Sequence, residues 1–93
     1  MIQKFVKRPI EVEAIKFTRN NFKDVVSFTK GLAMNITIER RMNGSCWCSI
    51  QTKEGLMRAN EGDYIVREPF DTERGYYPVK PEIFEMTYES ISK

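Results

Sequence analysis

The sequence predicts an α+β fold, in which a curled antiparallel β-sheet or partial barrel of about six strands packs against one short helix. One segment has helical periodicity, and it follows the first predicted strand. The rest of the chain divides into short alternating segments separated by turn residues. Hairpin connections of this kind place neighbouring strands antiparallel. We therefore expect the 93 residues to form a single domain over positions 1–93.

The first strand is predicted over residues 9–18, which read PIEVEAIKFT. Its apolar side chains change from one face of the strand to the other between Ala14 and Ile15. This change predicts either a bulge near these two residues or burial of both faces of the strand.

A short helix is predicted over residues 21–30. Asn20 or Asn21 can cap its first turn. Asp24 lies in that turn, where a negative charge interacts favourably with the positive end of the helix dipole. Gly31 is predicted to occupy the first position beyond the helix, where a left-handed backbone conformation ends it. The apolar side chains lie on one stripe, so the helix needs a sheet to pack on.

Two hairpins are predicted after the helix. The Asn43-Gly44 pair joins a strand over residues 34–42 to a strand over residues 46–52, because both turn residues tolerate positive φ. A second turn over residues 53–55 leads into a short strand over residues 56–59.

The second of these strands contains Cys46 and Cys48 on either side of Trp47. Because side chains alternate along a strand, both cysteines and Ile50 face one way and Trp47 faces the other. The cysteine α-carbons would lie about 6.5–7 Å apart, at the limit of disulfide geometry. With no histidine and no further cysteine, the chain lacks a zinc ligand set. We expect structural thiols that are buried or half-buried, and no metal site.

Three more strands are predicted in the C-terminal third. Gly62-Asp63 opens a strand over residues 62–68, and the aspartate is expected to accept backbone N–H groups in a turn. After a polar loop, a strand over residues 75–80 contains Pro78, which predicts either a position at the edge of a sheet or a bend in the strand. Beyond Pro81, alternating apolar and polar residues predict a turn and a last strand.

Charge and hydropathy limit the classes of function. Fifteen basic and thirteen acidic residues give a net charge of +2, a smaller basic excess than nucleic-acid modules of this size usually carry. No apolar stretch is long enough to span a membrane, and the first residues lack the apolar region of a secretion signal. We therefore expect a protein of a reducing cytoplasm.

The chemistry-bearing residues favour binding over catalysis. The chain contains no histidine, which removes mechanisms that use imidazole as a base or ligand. It also contains neither a phosphate-binding loop nor a dinucleotide fingerprint. Glu11 and Glu13 share a face of the first strand, where we expect them to be solvated. We predict a protein that is not an enzyme, with no catalytic residues and no cofactor.

Two motifs resemble a known family. Residues 61–68 read EGDYIVRE and residues 75–89 read GYYPVKPEIFEMTYE. They resemble the C-termini of small tailed-phage and prophage proteins, approximately P-G-D-[WY]-I-[IV] and then G-x-[FY]-Y-P-x-K-P-x-I-F-x-x-T-Y-E. Residues 7–18, KRPIEVEAIKFT, resemble the family's opening, R-K-K-P-[VI]-x-[VI]-E-A-x-[QK]-[WF]. The resemblance implies a phage or prophage product acting in the cytoplasm of a bacterial host; the family is largely without an assigned biochemical role.

The same C-terminal segment supplies a candidate binding site. Its members are aromatic or cationic side chains close to the two prolines: Tyr64, Arg67, Tyr76, Tyr77 and Lys80. An alternative interpretation assigns these residues to turns and to the core. The leading functional hypothesis is a module that binds and modulates a host or phage protein.

Other hypotheses remain open at this stage. One is a pocket for a nucleotide-like small molecule, lined by Arg67, Tyr76, Tyr77 and Lys80. Another is single-stranded nucleic acid on a sheet face that carries Trp47 and a tyrosine, with Arg40, Arg41 and Arg58 around it. Unpaired sheet edges also make a homodimer plausible as a further partner.

Overall fold

The computed structural model describes residues 2–4, 11–40, 44–70 and 75–89. Within them the chain forms six strands and two helices. The strands are β1 (Glu13–Lys16), β2 (Ala33–Ile38), β3 (Cys46–Thr52), β4 (Gly55–Asn60), β5 (Tyr64–Arg67) and β6 (Tyr76–Val79). The helices are α1 (Phe22–Phe28), between β1 and β2, and α2 (Pro81–Thr87), after β6.

The strands form two antiparallel sheets of three strands each. One has the order β1-β5-β6 and is called the 1-5-6 sheet; the other has the order β2-β3-β4 and is called the 2-3-4 sheet. β6 packs against β3 and β4 without pairing with either, so the described strands do not close into a barrel. The predicted α+β class with about six antiparallel strands is confirmed.

The last predicted strand is wrong, because residues 81–87 form the helix α2. Pro81 occupies the first turn of α2, where its fixed φ suits a helix and its missing N–H costs nothing. Phe84 and Tyr88 stand four residues apart, so they project from the same side and contact each other. The alternation of apolar and polar residues in this segment is also compatible with that helical spacing. The described residues thus form two helices instead of one.

The core lies between the inner faces of the two sheets and is closed by α1. The main core cluster draws side chains, each 4 % exposed or less, from both sheets, from α1 and from the residue after β1: Phe17, Val25, Ala33, Cys46, Cys48, Ile50, Ala59, Ile65 and Tyr76. The ring of Phe28 on α1 meets Tyr76 edge-on, with the ring centroids 5.6 Å apart. The prediction that Cys46, Cys48 and Ile50 face together is confirmed.

The end of α1 differs by one residue from the prediction. Lys30, not Gly31, occupies the first position after the helix cap, with φ of 56°. Its N–H donates to the carbonyl of Ser27, and the N–H of Gly31 donates to that of Val26. This pair of bonds is a Schellman motif, in which Gly31 takes the second position with φ of 89°. A lysine therefore occupies a left-handed position that favours glycine.

Thr29 connects this helix end to β2. The side chain is fully buried, and its Oγ1 donates to the carbonyl of Val25 at 2.9 Å. The same oxygen accepts the N–H of Ala33, the first residue of β2, at 3.0 Å. Both hydrogen-bonding roles of the buried hydroxyl are therefore satisfied, which fixes where α1 ends relative to β2.

The irregular strand is β2 and not β1. β1 pairs with β5 in an unbroken register, and Ala14 is exposed while Ile15 is half-buried, so the predicted bulge or double burial near these residues is wrong. Alanine is small enough to face water at little cost. In β2, by contrast, the register shifts between Met34 and Thr37, and Asn35 adopts a φ of 57°. Residues 9 and 10 of the predicted first strand lie outside the described residues.

The hairpin predictions hold where the structure describes them. β2 and β3 pair antiparallel, and the turn between β3 and β4 lies at residues 53–54, within the predicted 53–55; Gly55 already belongs to β4. Asn43 of the first turn lies outside the described residues. Asp63 caps its turn as predicted, since its Oδ2 accepts the N–H of Asn60 at 2.9 Å. Pro78 lies on β6, which is an edge strand.

Candidate interaction surfaces

The five predicted site residues project from different sides of the 1-5-6 sheet. Opposed residues in an antiparallel pair share a face, and Tyr77 stands opposite Val66 while Tyr76 stands opposite Arg67. Tyr64 and Tyr77 therefore lie on the outer face, whereas Arg67 and Tyr76 lie on the inner one. Lys80 follows the end of β6, where it is exposed and precedes α2.

The two inner-face residues have structural partners. Tyr76 is only 1 % exposed and belongs to the core. Arg67 pairs with Glu13 on the neighbouring strand, with 2.7 Å between its Nη1 and the Glu13 Oε1. An ion pair of this partly exposed kind contributes little to stability, typically about 0–1 kcal/mol. Neither side chain is directed to the surface that carries Tyr64 and Tyr77.

The two outer-face tyrosines lie beneath α2. The ring of Tyr64 stacks on that of Phe84 at 4.0 Å and 12°, and the ring of Tyr88 contacts Phe84 at 4.8 Å. Tyr77 shares a hydrogen bond with Tyr88, and burial together with this tyrosine raises the pKa of Tyr77. Val66, between the two tyrosines on this face, has no exposed surface although it lies outside the main core. These contacts form a second small apolar cluster that holds α2 on the sheet.

A cleft of about 220 Å³ lies between the β3–β4 turn and the start of β6. Met57, Glu68 and Tyr77 are among its walls, and Lys53 Nζ contacts Glu68 Oε2 across 3.2 Å. Tyr76 also borders it, but Tyr64, Arg67 and Lys80 do not. Pockets for drug-sized ligands usually have volumes of about 300–1,000 Å³. The predicted site residues therefore do not share one concavity of that size in the described part of the chain.

Cys46 and Cys48 are free and buried on the inner face of β3. Burial raises the pKa of the Cys46 thiol and raises that of Cys48 to about 11. Both groups are thus protonated at neutral pH, and a protonated thiol is a poor nucleophile and a poor metal ligand. The expectation of buried thiols is confirmed.

The outer face of the 2-3-4 sheet is open and carries Trp47. The register places eight side chains on this side, which we call the Trp47 face: Met34, Thr37, Trp47, Ser49, Gln51, Leu56, Arg58 and Asn60. None of the eight is buried, and Leu56 is 61 % exposed. A whole sheet surface is therefore accessible among the described residues.

Arg58 covers the Trp47 ring. Its guanidinium carbon lies 4.1 Å from the ring centroid, within the range of a cation–π contact. The Arg58 Nε also donates to the side-chain oxygen of Asn60 at 3.0 Å, which fixes the guanidinium over the ring. Two side chains of large contact area are thus held in defined positions on the surface.

The Trp47 face has few charges. Charged residues make up 30 % of the chain, yet Arg58 is the only one among these eight side chains. Depletion of charge around an aromatic and an arginine is typical of the centre of a protein–protein interface. The sequence analysis placed Trp47 on the side opposite the cysteines, but it did not identify Leu56 or Met34 as its neighbours. The pairing of β2 and β4 with β3 would have been needed to find them.

The described tyrosines lie elsewhere. Tyr64 and Tyr77 belong to the outer face of the other sheet, Tyr76 belongs to the core, and Tyr88 packs against Phe84 of α2. The proposed combination of Trp47 with a tyrosine on one face is therefore wrong for these four residues. Arg41 lies outside the described residues.

Two further features bear on the class of function. Among the described residues, no helix is long and apolar enough to cross a membrane. In the same part of the chain, no group of three or more acidic, cysteine or histidine side chains is arranged to hold a metal ion. No protein family, curated protein or solved structure matches this chain.

Proposed function

We propose that this chain is a non-catalytic interaction module that binds a host or phage protein through the Trp47 face. The observation that carries the proposal is Trp47 itself, placed on the open side of a sheet with Arg58 fixed above it at 4.1 Å. The resemblance of the motifs to small tailed-phage proteins supports a host or phage protein as the partner. The contact surface of the partner would be apolar, with a carboxylate placed to accept hydrogen bonds from Arg58.

The energetic argument rests on the two anchor residues. Tryptophan and arginine are enriched among residues whose truncation costs about 2 kcal/mol or more in interfaces. Their side chains are ordered before binding, because the guanidinium is already bonded to Asn60. Less conformational entropy is then lost on association. Leu56 extends the apolar area beside them.

A small-molecule function has weaker support. The residues expected to line a nucleotide-like pocket are divided between two faces of a sheet, and Lys80 lies outside both. The 220 Å³ cleft has an ion pair across it, and no buried side-chain polar atom in the described residues lacks a hydrogen-bond partner. A site selected for polar recognition would present such groups to its ligand.

Single-stranded nucleic acid is the second candidate, because a tryptophan and an arginine on an open sheet can also stack on bases. The charge on the face favours protein instead. Arg58 is its only cation among the described side chains, whereas backbone-tracking grooves for single strands are lined with several.

Paired affinity capture tests the proposal. Tagged wild-type protein, Trp47→Ala and Met86→Ala would be incubated with lysate of a bacterial host, with and without nuclease. Met86 is the matched control, because it is an apolar side chain 87 % exposed on α2, away from the Trp47 face. We expect a protein that binds wild type and Met86→Ala equally and binds Trp47→Ala at least tenfold more weakly.

Two outcomes would count against the proposal. A partner retained equally by Trp47→Ala would place the interface on another surface. Retention that is lost on nuclease treatment and falls steeply with salt would instead favour nucleic acid. Circular dichroism and thermal unfolding of each variant establish that the fold is intact.

A further inference from the structure

Among the described strands, β4 is one of the two edge strands of the 2-3-4 sheet, and part of its backbone is directed away from β3. Residues Thr52 and Gly55 close the two-residue β3–β4 turn as an opposed pair, and the N–H of Glu61 donates to the carbonyl of Cys46 at the other end of the ladder. Hydrogen-bonded and non-bonded pairs alternate along an antiparallel ladder. Leu56 and Arg58 are therefore at non-bonded positions, and their N–H and C=O groups point outward.

The other edges in the described sheets have features that oppose strand addition. β6 contains Pro78, which cannot donate, and β2 contains the irregularity at Asn35. β1 is four residues long and carries a charged residue at each end, Glu13 and Lys16. β4 has a continuous register and contains neither proline nor a bulge. It is the edge least protected against pairing.

Exposed apolar side chains lie along the same edge. Leu56 is 61 % exposed on the outer side and Met57 is 40 % exposed on the inner side. Side chains next to an added strand would lose much of this exposure. Apolar burial contributes roughly 25 cal/mol for each Å² removed from water.

We propose that two copies of this chain associate through their β4 strands, antiparallel about a two-fold axis at Met57. In this register Leu56 of one copy stands opposite Arg58 of the other and exchanges both hydrogen bonds with it. The two Met57 side chains meet at the axis on the inner side. The two sheets then join into one continuous sheet across the dimer.

The charges of the edge fit a second copy in this register. Arg58 faces Leu56 and not another Arg58, so like charges are not opposed. The same two-fold brings the turn residue Lys53 of one copy alongside Glu61 of the other, a pair of opposite sign. Within each copy, Glu61 also pairs with Arg19 at 2.8 Å and Lys53 with Glu68 at 3.2 Å. Pairing about a two-fold axis at Arg58 would place the Arg58 side chains of the two copies opposite each other, which is unfavourable. Charge complementarity thus disfavours the register centred on Arg58.

Dimerisation would enlarge the proposed docking surface without depending on it. Opposed residues of paired strands share a face, so both Trp47 faces would lie on the same side of the joined sheet. Trp47 is on β3, away from the β4 edge. Its replacement by alanine should therefore weaken partner binding at least tenfold and leave self-association unchanged, which separates the two proposals.

Sedimentation velocity from about 10 μM to 1 mM tests the dimer, with Leu56→Pro and Leu56→Thr as a matched pair. The Leu56 N–H is not used within the β3–β4 ladder, so proline removes an outward donor only, while threonine keeps it. We expect concentration-dependent dimerisation that Leu56→Pro weakens at least tenfold and Leu56→Thr weakens much less. A protein that stays monomeric throughout, or a dimer that Leu56→Pro does not weaken, would overturn the inference.

Amide hydrogen exchange of the wild-type chain decides the matter if Leu56→Pro does not fold. The Leu56 and Arg58 amides should become more protected as protein concentration rises, whereas the Thr52 amide in the β3–β4 ladder should not change. Exchange of Leu56 and Arg58 that is independent of concentration would overturn the inference equally.

Discussion

Replacement of Lys30 by glycine is expected to stabilise the fold, although glycine usually destabilises a helix and its surroundings. Lys30 has a φ of 56°, and a non-glycine residue in this left-handed region costs about 1–2 kcal/mol. Glycine avoids this strain but adds conformational freedom to the unfolded chain, which offsets about 0.4–1 kcal/mol. The midpoints of the two ranges give a net gain of about 0.8 kcal/mol. The Lys30 side chain is exposed, so removing it should cost little.

Urea unfolding followed by circular dichroism measures this effect. For a domain of this size, a gain of 1 kcal/mol corresponds to a rise in Tm of about 4–8 °C. Lys30→Ala is the matched control, because it removes the same side chain and keeps the unfavourable φ; it should leave the stability near that of wild type. Gly31→Ala should be destabilising, since Gly31 has a φ of 89°. Equal stabilisation by glycine and alanine at position 30, or none with glycine, would refute the assigned helix end.

Three other substitutions test separate parts of the structure. Thr29→Val should lower the unfolding free energy by about 1–3 kcal/mol, because it leaves the buried Ala33 N–H without an acceptor; a variant as stable as wild type would contradict the assigned bond. Burial raises the pKa of Cys48 from 9.0 to about 11, so above pH 9 the unfolded state binds fewer protons than the folded state does. The free energy of unfolding therefore falls by about 1.4 kcal/mol per pH unit toward pH 11. The free energy of unfolding of wild type should therefore fall relative to that of Cys48→Ala as the pH rises over this range. A difference between the two that is independent of pH would contradict the burial argument. Phe84→Ala should reduce stability and the amide protection of α2, since Phe84 anchors that helix, whereas Met86→Ala should change stability by less than about 0.5 kcal/mol; equal effects would show that the aromatic stack does not hold α2.

Local signals in the sequence were sufficient for most of the elements. The alternation of Cys46, Cys48 and Ile50 against Trp47 predicted both the bounds and the faces of β3, because one side of that strand is buried and the other is not. The turn chemistry of Gly62-Asp63 predicted the cap that the structure shows. These features depend on neighbouring residues alone.

The errors concern positions where more than one local rule applied. In the C-terminal segment, Phe84, Met86 and Tyr88 fit an alternating strand, but Phe84 and Tyr88 also fit a helix. The helix is selected by a contact with Tyr64, which is distant in sequence. At the end of α1, glycine marked the turn correctly but lay one residue beyond the left-handed position that the Schellman bonds define.

The candidate surface could be predicted only in part. Trp47 and Arg58 were both named in the nucleic-acid hypothesis, but their stacking follows from the register of β3 with β4. For Tyr76 and Tyr77, the sequence alone is sufficient to exclude a shared site on one side of the sheet. Consecutive strand residues necessarily face opposite ways, so the two could not both line a site on one side of the sheet.

The most direct test of the proposed docking surface is the fluorine resonance of 5-fluorotryptophan at position 47. The chain contains a single tryptophan, so the labelled protein gives one signal that reports on the Trp47 face, and an unlabelled partner is silent. On addition of the captured partner, we expect this resonance to shift and to broaden as the ring loses contact with water, and Arg58→Ala should weaken the association. An unchanged resonance in a complex that demonstrably forms would contradict the account, because the interface would then lie on another surface of the molecule.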